Sequence, residues 1–127
     1  NAVKLTIKKD TDKLDTRKQT TGISPNFVHS MDACHLMKTV NRLKEAGVSS
    51  VAMIHDSYGC LAADVDVLNR ELREAFIRMY TDHDVLEEFR QTVLQQLPEE
   101  LATKVPPVPP KGNLDLSLVR ESRYFFA

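Results

Sequence analysis

A short polar tripeptide interrupts an apolar stretch near the middle of the chain. His55, Asp56 and Ser57 follow the apolar run at residues 50–54, and an extended, largely apolar pattern resumes over residues 58–62. This order predicts a β-hairpin with an acidic tip, whose first strand is covered on both faces. Burying a titratable pair between such strands would carry a desolvation penalty, which a functional use of Asp56 would explain. Asp is also an ordinary turn residue, so the tripeptide by itself is a weak motif.

A carboxylate at the tip of a rigid hairpin suits two-metal phosphoryl transfer. In that chemistry, divalent ions about 3.5 to 4 Å apart hold the attacking and leaving oxygens, and hard oxygen ligands favour magnesium. One carboxylate cannot build such a site, and no other acid is recognisable as its partner. Asp10, Asp12 and Asp15 lie in a basic polar stretch, and Asp32 lies on a predicted helix. The catalytic apparatus is therefore predicted to be incomplete in this chain.

Two histidines on the predicted helix, His29 and His35, are the remaining candidates for metal or acid–base chemistry. A metal site there would also have to recruit Cys34, His55 or Cys60, and the spacings of these residues fit no zinc template. A lone histidine on a helix is usually structural. We therefore predict a packing or surface role for His35, and from the residues alone the same holds for His29.

The elements before the hairpin follow from periodicity and capping residues. Alternating apolar residues at 3–7 predict a half-buried strand. Ser24 is placed as an N-cap and Pro25 as the first helical residue, and Gly47 is placed to end the helix, which predicts a helix over residues 25–46. Its apolar residues fall on two roughly opposite sides, so it is predicted to lie between two layers.

The second half of the chain is predicted to be mainly helical. Apolar residues recur at helical spacing over residues 68–79 and again over residues 86–97, where Asp84 and Glu87 form a capping-box pattern. The prolines within residues 106–110 indicate a stiff connector.

The chain is thus predicted to be an α+β protein in four segments. Residues 1–21 form a strand and a basic polar segment, and residues 22–63 form a helix plus the hairpin. Residues 64–105 form the amphipathic helices, and residues 106–127 form the proline-rich connector and C-terminal tail, with a short helix over 114–121.

Charge is distributed unevenly although the net charge of the 127 residues is only −1. Residues 1–20 hold six basic side chains against three acidic ones, whereas residues 64–100 hold ten acids against four arginines. Nucleic acid is therefore expected to meet the first half.

Two distant cysteines and the lack of a signal-peptide pattern predict an intracellular protein without a disulfide framework. No apolar run reaches the ~18 to 20 residues that a membrane-spanning helix needs.

Three ordered segments of the sequence are more specific than any single residue. Residues 21–32 read TGISPNFVHSMD, residues 53–59 read MIHDSYG, and residues 124–127 read YFFA, with further matches at 62–65 and 110–112. Together they resemble the single-subunit DNA-dependent RNA polymerases of bacteriophages and mitochondria. The resemblance covers most of the chain in order, which makes chance improbable.

The resemblance assigns roles to individual residues. It implies that Asp56 is a catalytic residue and a ligand of two Mg²⁺ ions, and that His55 and Ser57 shape and orient the hairpin tip. It implies that His29 contacts nucleic acid near the growing RNA end, through the minor groove, where shape and hydroxyls are read more than sequence.

The resemblance also concerns the end of the chain. In such polymerases the C-terminal aromatic residues and terminal carboxylate reach back toward the active site, so Phe125, Phe126 and Ala127 are implied to support it. The alternative, that Phe125 and Phe126 only anchor a tail, stays open.

The implied fold is the C-terminal palm and fingers portion of a right-hand polymerase, with a central hairpin packed with several helices. The complete enzyme would perform template-directed nucleotidyl transfer from ribonucleoside triphosphates on a DNA template, giving an RNA product and pyrophosphate. The missing upstream portion would supply the second catalytic aspartate, so the chain alone is expected to be inactive. It would act in the host cytoplasm if it comes from a phage, with a mitochondrial location as the alternative.

Two other functions remain open at this point. The chain could be a non-catalytic split subunit or interaction module that complements a partner polymerase fragment, which its double-faced helix favours. It could also belong to a DNA polymerase of the related right-hand family, which also uses a His-Asp hairpin. The PNFVHS segment and the FFA ending argue for the RNA enzyme.

Overall fold

The structure, a computed structural model, describes residues 3, 5–7 and 9–125. The chain divides into two compact units, Asn1–Met31 and Asp32–Ala127. The described residues form four α-helices and one two-stranded antiparallel sheet, which confirms the α+β class. In chain order these are α1 (Thr16–Glu45), β1 (Val51–Ile54), β2 (Ser57–Cys60), α2 (Val65–Thr81), α3 (Val85–Gln96) and α4 (Glu99–Ala102), with 3-10 turns at Ala62–Asp64 and Leu116–Arg120.

Helix α1 begins nine residues before its predicted start. The Asp15 side chain accepts a hydrogen bond from the backbone N–H of Lys18 at 3.1 Å, and its carbonyl accepts one from Gln19 at 3.0 Å. These bonds satisfy donors that a helix start leaves free, so Asp15 is the N-cap. Pro25 lies inside the helix, where it has no N–H to donate to the carbonyl of Thr21. The prediction of a start at Pro25 was wrong because an earlier cap was available.

The C-terminal end of α1 lies where Gly47 predicted it. Gly47 has a φ of 86°, a conformation that glycine adopts without steric cost. Its N–H donates to the carbonyl of Lys44 at 3.1 Å, and the N–H of Val48 donates to the carbonyl of Leu43 at 2.9 Å. This pair of bonds is the Schellman arrangement that satisfies terminal carbonyls. The chain then enters β1 after a short loop.

A single stripe of α1 is buried, at intervals of four residues: His35, Thr39 and Leu43. The prediction that the helix lies between two layers was wrong. Two of the three buried residues are polar, so a search for apolar side chains does not find this stripe. The Thr39 hydroxyl is satisfied within the helix, because it donates to the carbonyl of His35 at 2.8 Å.

The alternating segment at the start of the chain forms no strand in the residues that are described there. Val3, Leu5 and Ile7 are exposed by 90%, 79% and 83%, so the prediction of a half-buried strand was wrong. A strand needs a neighbour for its backbone hydrogen bonds, and the described hairpin strands pair with each other. Lys4 and Lys8 lie outside the described residues.

The predicted hairpin is confirmed, with Ile54 opposite Ser57 at the tip. Its burial alternates, so one face packs on the core and the other is open, and Ile54 is 71% exposed. The prediction of a first strand covered on both faces was therefore wrong. The packed face lies on the core cluster of Leu43, Val48 and Leu68. This cluster joins the end of α1 to α2 beneath the hairpin.

The two amphipathic helices after the hairpin are confirmed as α2 and α3. The buried residues of α2 include the predicted Leu68, Leu72, Ala75 and Met79. Asp84 caps α3, because its side chain accepts from the N–H of Glu87 at 3.3 Å. Across the part of the chain that the structure describes, no helix has the length and apolar character needed to cross a membrane.

A partly buried ion pair links α1 to α2. Arg42 Nη2 lies 2.6 Å from Glu71 Oε2, and Arg70 Nε lies 3.0 Å from the other carboxylate oxygen of Glu71. Burial by itself would raise the pKa of Glu71, but hydrogen bonds from Arg70 and Arg42 hold that pKa below its ordinary value. Only 11% of the Glu71 side chain and 23% of the Arg42 side chain are exposed.

Candidate active site

The hairpin tip is a two-residue turn formed by His55 and Asp56. His55 has a φ of 55°, the only positive φ of a non-glycine residue among those described. A positive φ at the first turn residue alone matches a type II′ turn, in which glycine usually holds this place. Such a conformation costs on the order of 1–3 kcal/mol and is enriched at functional sites. Asp56 is exposed, so the desolvation argument for its function fails, although its place at the tip is confirmed.

A cavity of about 160 Å³ lies beside the tip, within the second unit. Asp56 and His55 from the turn, Tyr58 from β2, and Asp32 and His35 from α1 line this cavity. The sequence placed Asp32 on a helix and offered no link between it and Asp56. The structure brings these two carboxylates to one cavity, with two imidazoles and a phenol around them.

His35 forms the buried side of this cavity. It is 3% exposed, and its Nε2 lies 2.9 Å from the carbonyl oxygen of Leu72. Because a carbonyl can only accept, Nε2 carries the proton, and Nδ1 of the neutral ring is an acceptor. Nδ1 faces the Tyr58 hydroxyl at 3.5 Å, so the phenol donates to it. Of the predicted packing or surface role, the structure shows the packing role for His35, whose ring connects α1, α2 and the hairpin.

The electrostatic environment keeps both rings neutral. Burial lowers the pKa of His35, while its hydrogen bond to Leu72 and the charge of Asp32 oppose the change. Burial also raises the pKa of Tyr58, and the charges of Asp32 and Asp56 raise it further. A neutral phenol next to a neutral imidazole adds no charge on this side of the cavity.

The lowered pKa of His35 predicts a loss of stability in weak acid. The unfolded chain binds a proton near the ordinary pKa of 6.5, whereas the folded chain resists it, so the free energy of unfolding falls as pH drops below about 6.5. Chemical denaturation of the chain between pH 7.5 and pH 5 should show this fall in wild type. In His35→Gln, which retains an amide donor for Leu72, the slope should be smaller.

The matched control for this measurement is His83→Gln, since His83 is an exposed histidine outside this cavity. That variant should keep the wild-type slope. The lowered pKa values of Glu71 and Glu74 act below their ordinary value of 4.5, outside this pH window. An unchanged slope in His35→Gln would mean that His35 is not the group that titrates.

The other predicted site residues lie at different places. Ser57 is exposed at the start of β2. His29 is exposed on the part of α1 that belongs to the first unit. Phe125 is half-buried, and its ring centroid lies 6.4 Å from that of His35 in an edge-on arrangement. Phe126 and Ala127 lie outside the described residues.

The donor set of the cavity suits a hard cation only in part. Among residues 3, 5–7 and 9–125 no group of three or more His, Cys, Asp or Glu side chains is placed to hold a metal ion. Magnesium keeps several waters and is usually bound through one or two carboxylates together with substrate phosphates. Asp56 fits that requirement as one ligand, since it is exposed, and Asp32 adds negative charge to the same cavity.

Sequence reasoning gave no site role to two residues near the site, Asp32 and Arg73. Asp32 stands three positions before His35 on α1, a spacing that places both side chains on one helix face. Arg73 is 8% exposed on α2 and contacts the C-terminal tail. Only a long-range contact identifies it, so the sequence contains no local signal for it.

Comparisons with known proteins agree over nearly the whole chain. A family model described as DNA-dependent RNA polymerase matches residues 1–105. DNA-directed RNA polymerase 1A of Nicotiana tabacum is 43% identical over 122 residues, which is 96% of this chain and 76% of that relative. The DNA-directed RNA polymerase of Enterobacteria phage K11 is 42% identical over 98% of this chain but only 14% of its own length. T7 RNA polymerase of Escherichia phage T7 is 44% identical over 91% of this chain and 13% of its own length.

Proposed function

This chain belongs to the DNA-dependent RNA polymerase family, and on that premise we propose that it supplies the catalytic hairpin of an enzyme that joins ribonucleoside triphosphates on a DNA template. The observation that carries the proposal is the exposed carboxylate of Asp56 at the tip of a tight hairpin. The chain spans 13% and 14% of its T7 and K11 relatives. The rest of the enzyme, including a second metal-binding aspartate, would therefore come from an upstream portion.

In this proposal the hairpin belongs to the palm of a right-hand polymerase, and Asp56 is a ligand of two magnesium ions. Magnesium there would stabilise negative charge on the transferred phosphoryl group and on the attacking and leaving oxygens. His55 fixes the direction of the tip through its left-handed backbone, and Ser57 opens the return strand. Tyr58 directs its hydroxyl to Nδ1 of His35 at 3.5 Å.

The tail and the first unit have supporting roles in the same proposal. Phe125 packs edge-on against His35, so Phe125, Phe126 and Ala127 would support the site from the side of α1. His29 and the basic residues before it would contact the nucleic acid, where DNA template and RNA product pair. Because its relatives are named as phage, mitochondrial and chloroplastic enzymes, we place the complete enzyme inside an infected cell or an organelle.

Replacing His29 with Ala in the complete enzyme should weaken its hold on the short RNA–DNA hybrid. The expected result is a higher ratio of abortive to full-length RNA, measured by gel analysis of run-off transcription, with the metal requirement unchanged. His83→Ala, an exposed histidine in the second unit, is the control and should leave the ratio as in wild type. A normal ratio in His29→Ala would return His29 to a structural role.

The experiment that tests the proposed function is nucleotide incorporation by the chain combined with its upstream portion. On a DNA template with Mg²⁺, that assembly should extend RNA from ribonucleotides and make little product from deoxyribonucleotides. The 127-residue chain alone should make no RNA. Two-metal chemistry needs a second metal-binding aspartate, which in this proposal comes from the upstream portion. A preference for deoxyribonucleotides would instead identify a DNA polymerase.

The second candidate function is a non-catalytic subunit that complements a partner fragment. The observation that favours it is the open apolar face of the hairpin, on which Ile54 is 71% exposed. An assembly that binds this chain tightly and makes equal RNA with or without Asp56 would support that reading. Loss of RNA synthesis with the Asp56 carboxylate removed would exclude it.

A further inference from the structure

Arg73 is a buried cation on α2. It is 8% exposed, and burying a guanidinium is unfavourable unless hydrogen bonds replace its water. Its Nε donates to the side-chain oxygen of Asn69 at 3.0 Å, within α2. Its Nη1 leaves the helix and lies 2.7 Å from the carbonyl oxygen of Val119 and 2.6 Å from that of Ser122.

The carbonyl of Val119 belongs to the 3-10 turn Leu116–Arg120, and that of Ser122 lies two residues beyond this turn. The 3-10 turn Leu116–Arg120 leaves its final carbonyls without helical partners, as any helix end does. Arg73 donates from another element to one of these carbonyls, that of Val119, and to the carbonyl of Ser122, 46 and 49 residues away in sequence. The neighbouring Glu74 holds the same turn, since both of its carboxylate oxygens accept hydrogen bonds from Arg120.

The guanidinium also contacts the next part of the tail. Arg73 Cζ lies 5.6 Å from the ring centroid of Phe125, in the range of a cation–π contact. The Phe125 ring is packed edge-on against Phe76 at 5.1 Å and against His35 at 6.4 Å. His35 faces the Tyr58 hydroxyl and lines the cavity beside Asp56.

We propose that Arg73 is a positioning residue for nucleotidyl transfer, which acts by holding the C-terminal tail so that Phe125 stays seated against His35. The inference rests on the proposed function, because it assigns the reacting centre to the hairpin of Asp56. Arg73 itself touches neither substrate nor metal. Its effect passes through Phe125 to His35, and from His35 to the Tyr58 side of the hairpin.

Arginine is required at this place by the geometry of the contacts. The rigid guanidinium fork reaches Asn69, two tail carbonyls and an aromatic face at once. A lysine carries the same charge on a flexible stem and can satisfy only part of this set. Arg73→Lys should therefore show an intermediate effect, whereas Arg73→Met, which keeps the length but has no donor, should show the full effect.

The activity test uses the complete polymerase with Arg73→Met, with a chain that ends at Glu121, and with both changes. Displacing a site from a reactive geometry lowers the rate by about tenfold to a hundredfold. We expect such a fall in kcat for Arg73→Met, with little change in KM for ribonucleotides. The double variant should be no slower than the shortened chain, because residues that act through one another are non-additive. The inference would be overturned if the fall in kcat of the double variant were the product of the two single falls. A normal kcat in folded Arg73→Met would also overturn it.

The matched control is Arg78→Met, since Arg78 lies exposed on the same helix. It should retain wild-type kcat. If Arg73→Met does not fold, Arg73→Lys takes its place, and thermal unfolding of each variant identifies which case applies.

A second measurement separates this inference from the proposed function. Hydrogen exchange in the 127-residue chain follows the N–H groups of Leu118, Glu121 and Ser122, which are hydrogen-bonded in the tail turn. Their exchange should accelerate in Arg73→Met or Arg73→Lys and stay at the wild-type rate in Arg78→Met. Unchanged exchange would overturn the inference even if the enzyme makes RNA. If exchange is faster in the Arg73 variants but the wild-type assembly makes no RNA, the proposed function is contradicted. The contact by which Arg73 holds the C-terminal tail would then still stand.

Discussion

Replacing Asp56 with Ala in the complete polymerase should lower nucleotide incorporation by about a hundredfold or more, at about 1.4 kcal/mol of lost transition-state stabilisation per factor of ten. Under the proposed function the change removes a hard anionic ligand of magnesium, an ion that tolerates poor coordination geometry badly. Binding of template DNA should persist, because it depends on other surfaces. Thermal unfolding should stay near wild type, since Asp56 is exposed and exposed substitutions usually change stability by about 0.5 kcal/mol or less.

The measurement pairs incorporation with thermal unfolding of the same preparation. Asp56→Asn is the sharper companion variant, because Asn keeps the turn preference of Asp but has no charge, and it should be as inactive as Asp56→Ala. Asp66→Ala, an exposed acid on α2, is the matched control and should be active. Incorporation within a few-fold of wild type, or failure of Asp56→Ala to fold, would make Asp56 a structural turn residue.

The largest expected effect on stability belongs to Leu43→Ala. Leu43 is fully buried and packs with Val48 and Leu68 beneath the hairpin. Truncating a buried leucine removes apolar contact and leaves a cavity, which typically lowers the free energy of unfolding by about 2–5 kcal/mol. Urea denaturation of the 127-residue chain measures this loss through the midpoint and slope of the transition.

The control for Leu43→Ala is Met37→Ala on the same helix, where the side chain is 59% exposed. That variant should change stability by about 0.5 kcal/mol or less. A loss below about 1 kcal/mol in Leu43→Ala would contradict the packing, because well-filled cores do not absorb such a truncation. Leu43 lies under the face of the hairpin that packs on the core. Truncating Leu43 should therefore also loosen the hairpin whose turn carries Asp56.

The hairpin and the end of α1 could be predicted because local residues determine them. A polar tripeptide between apolar runs marked the turn, and Gly47 marked a helix end that only a residue with positive φ completes easily. The start of α1 could not be decided in the same way. Ser24 followed by Pro25 predicted the later start, whereas the helix begins at the Asp15 cap.

The cavity could not be predicted, because it depends on long-range contacts. His35 pairs with Leu72 and Tyr58, which lie 37 and 23 residues away, and nothing local shows that these groups meet. The prediction of a strand at residues 3–7 failed for a related reason. The pattern of these residues allows a strand, but a strand exists only where a neighbour accepts its hydrogen bonds.

The shielded pair of Arg42 and Glu71 has a consequence for the choice of ionic strength. Added salt screens exposed charges strongly, but it screens buried charges much less. The ion pair of Arg42 and Glu71, which joins α1 to α2, should therefore persist when salt is added. Contacts of basic side chains with phosphates weaken steeply as salt is added, because binding releases counterions. Under the proposed function, in which nucleic acid contacts the basic residues before His29, a salt titration should detach it well before it loosens the helices under the hairpin. In a buffer of intermediate ionic strength, loss of RNA synthesis would report release of the template from a protein that is still folded.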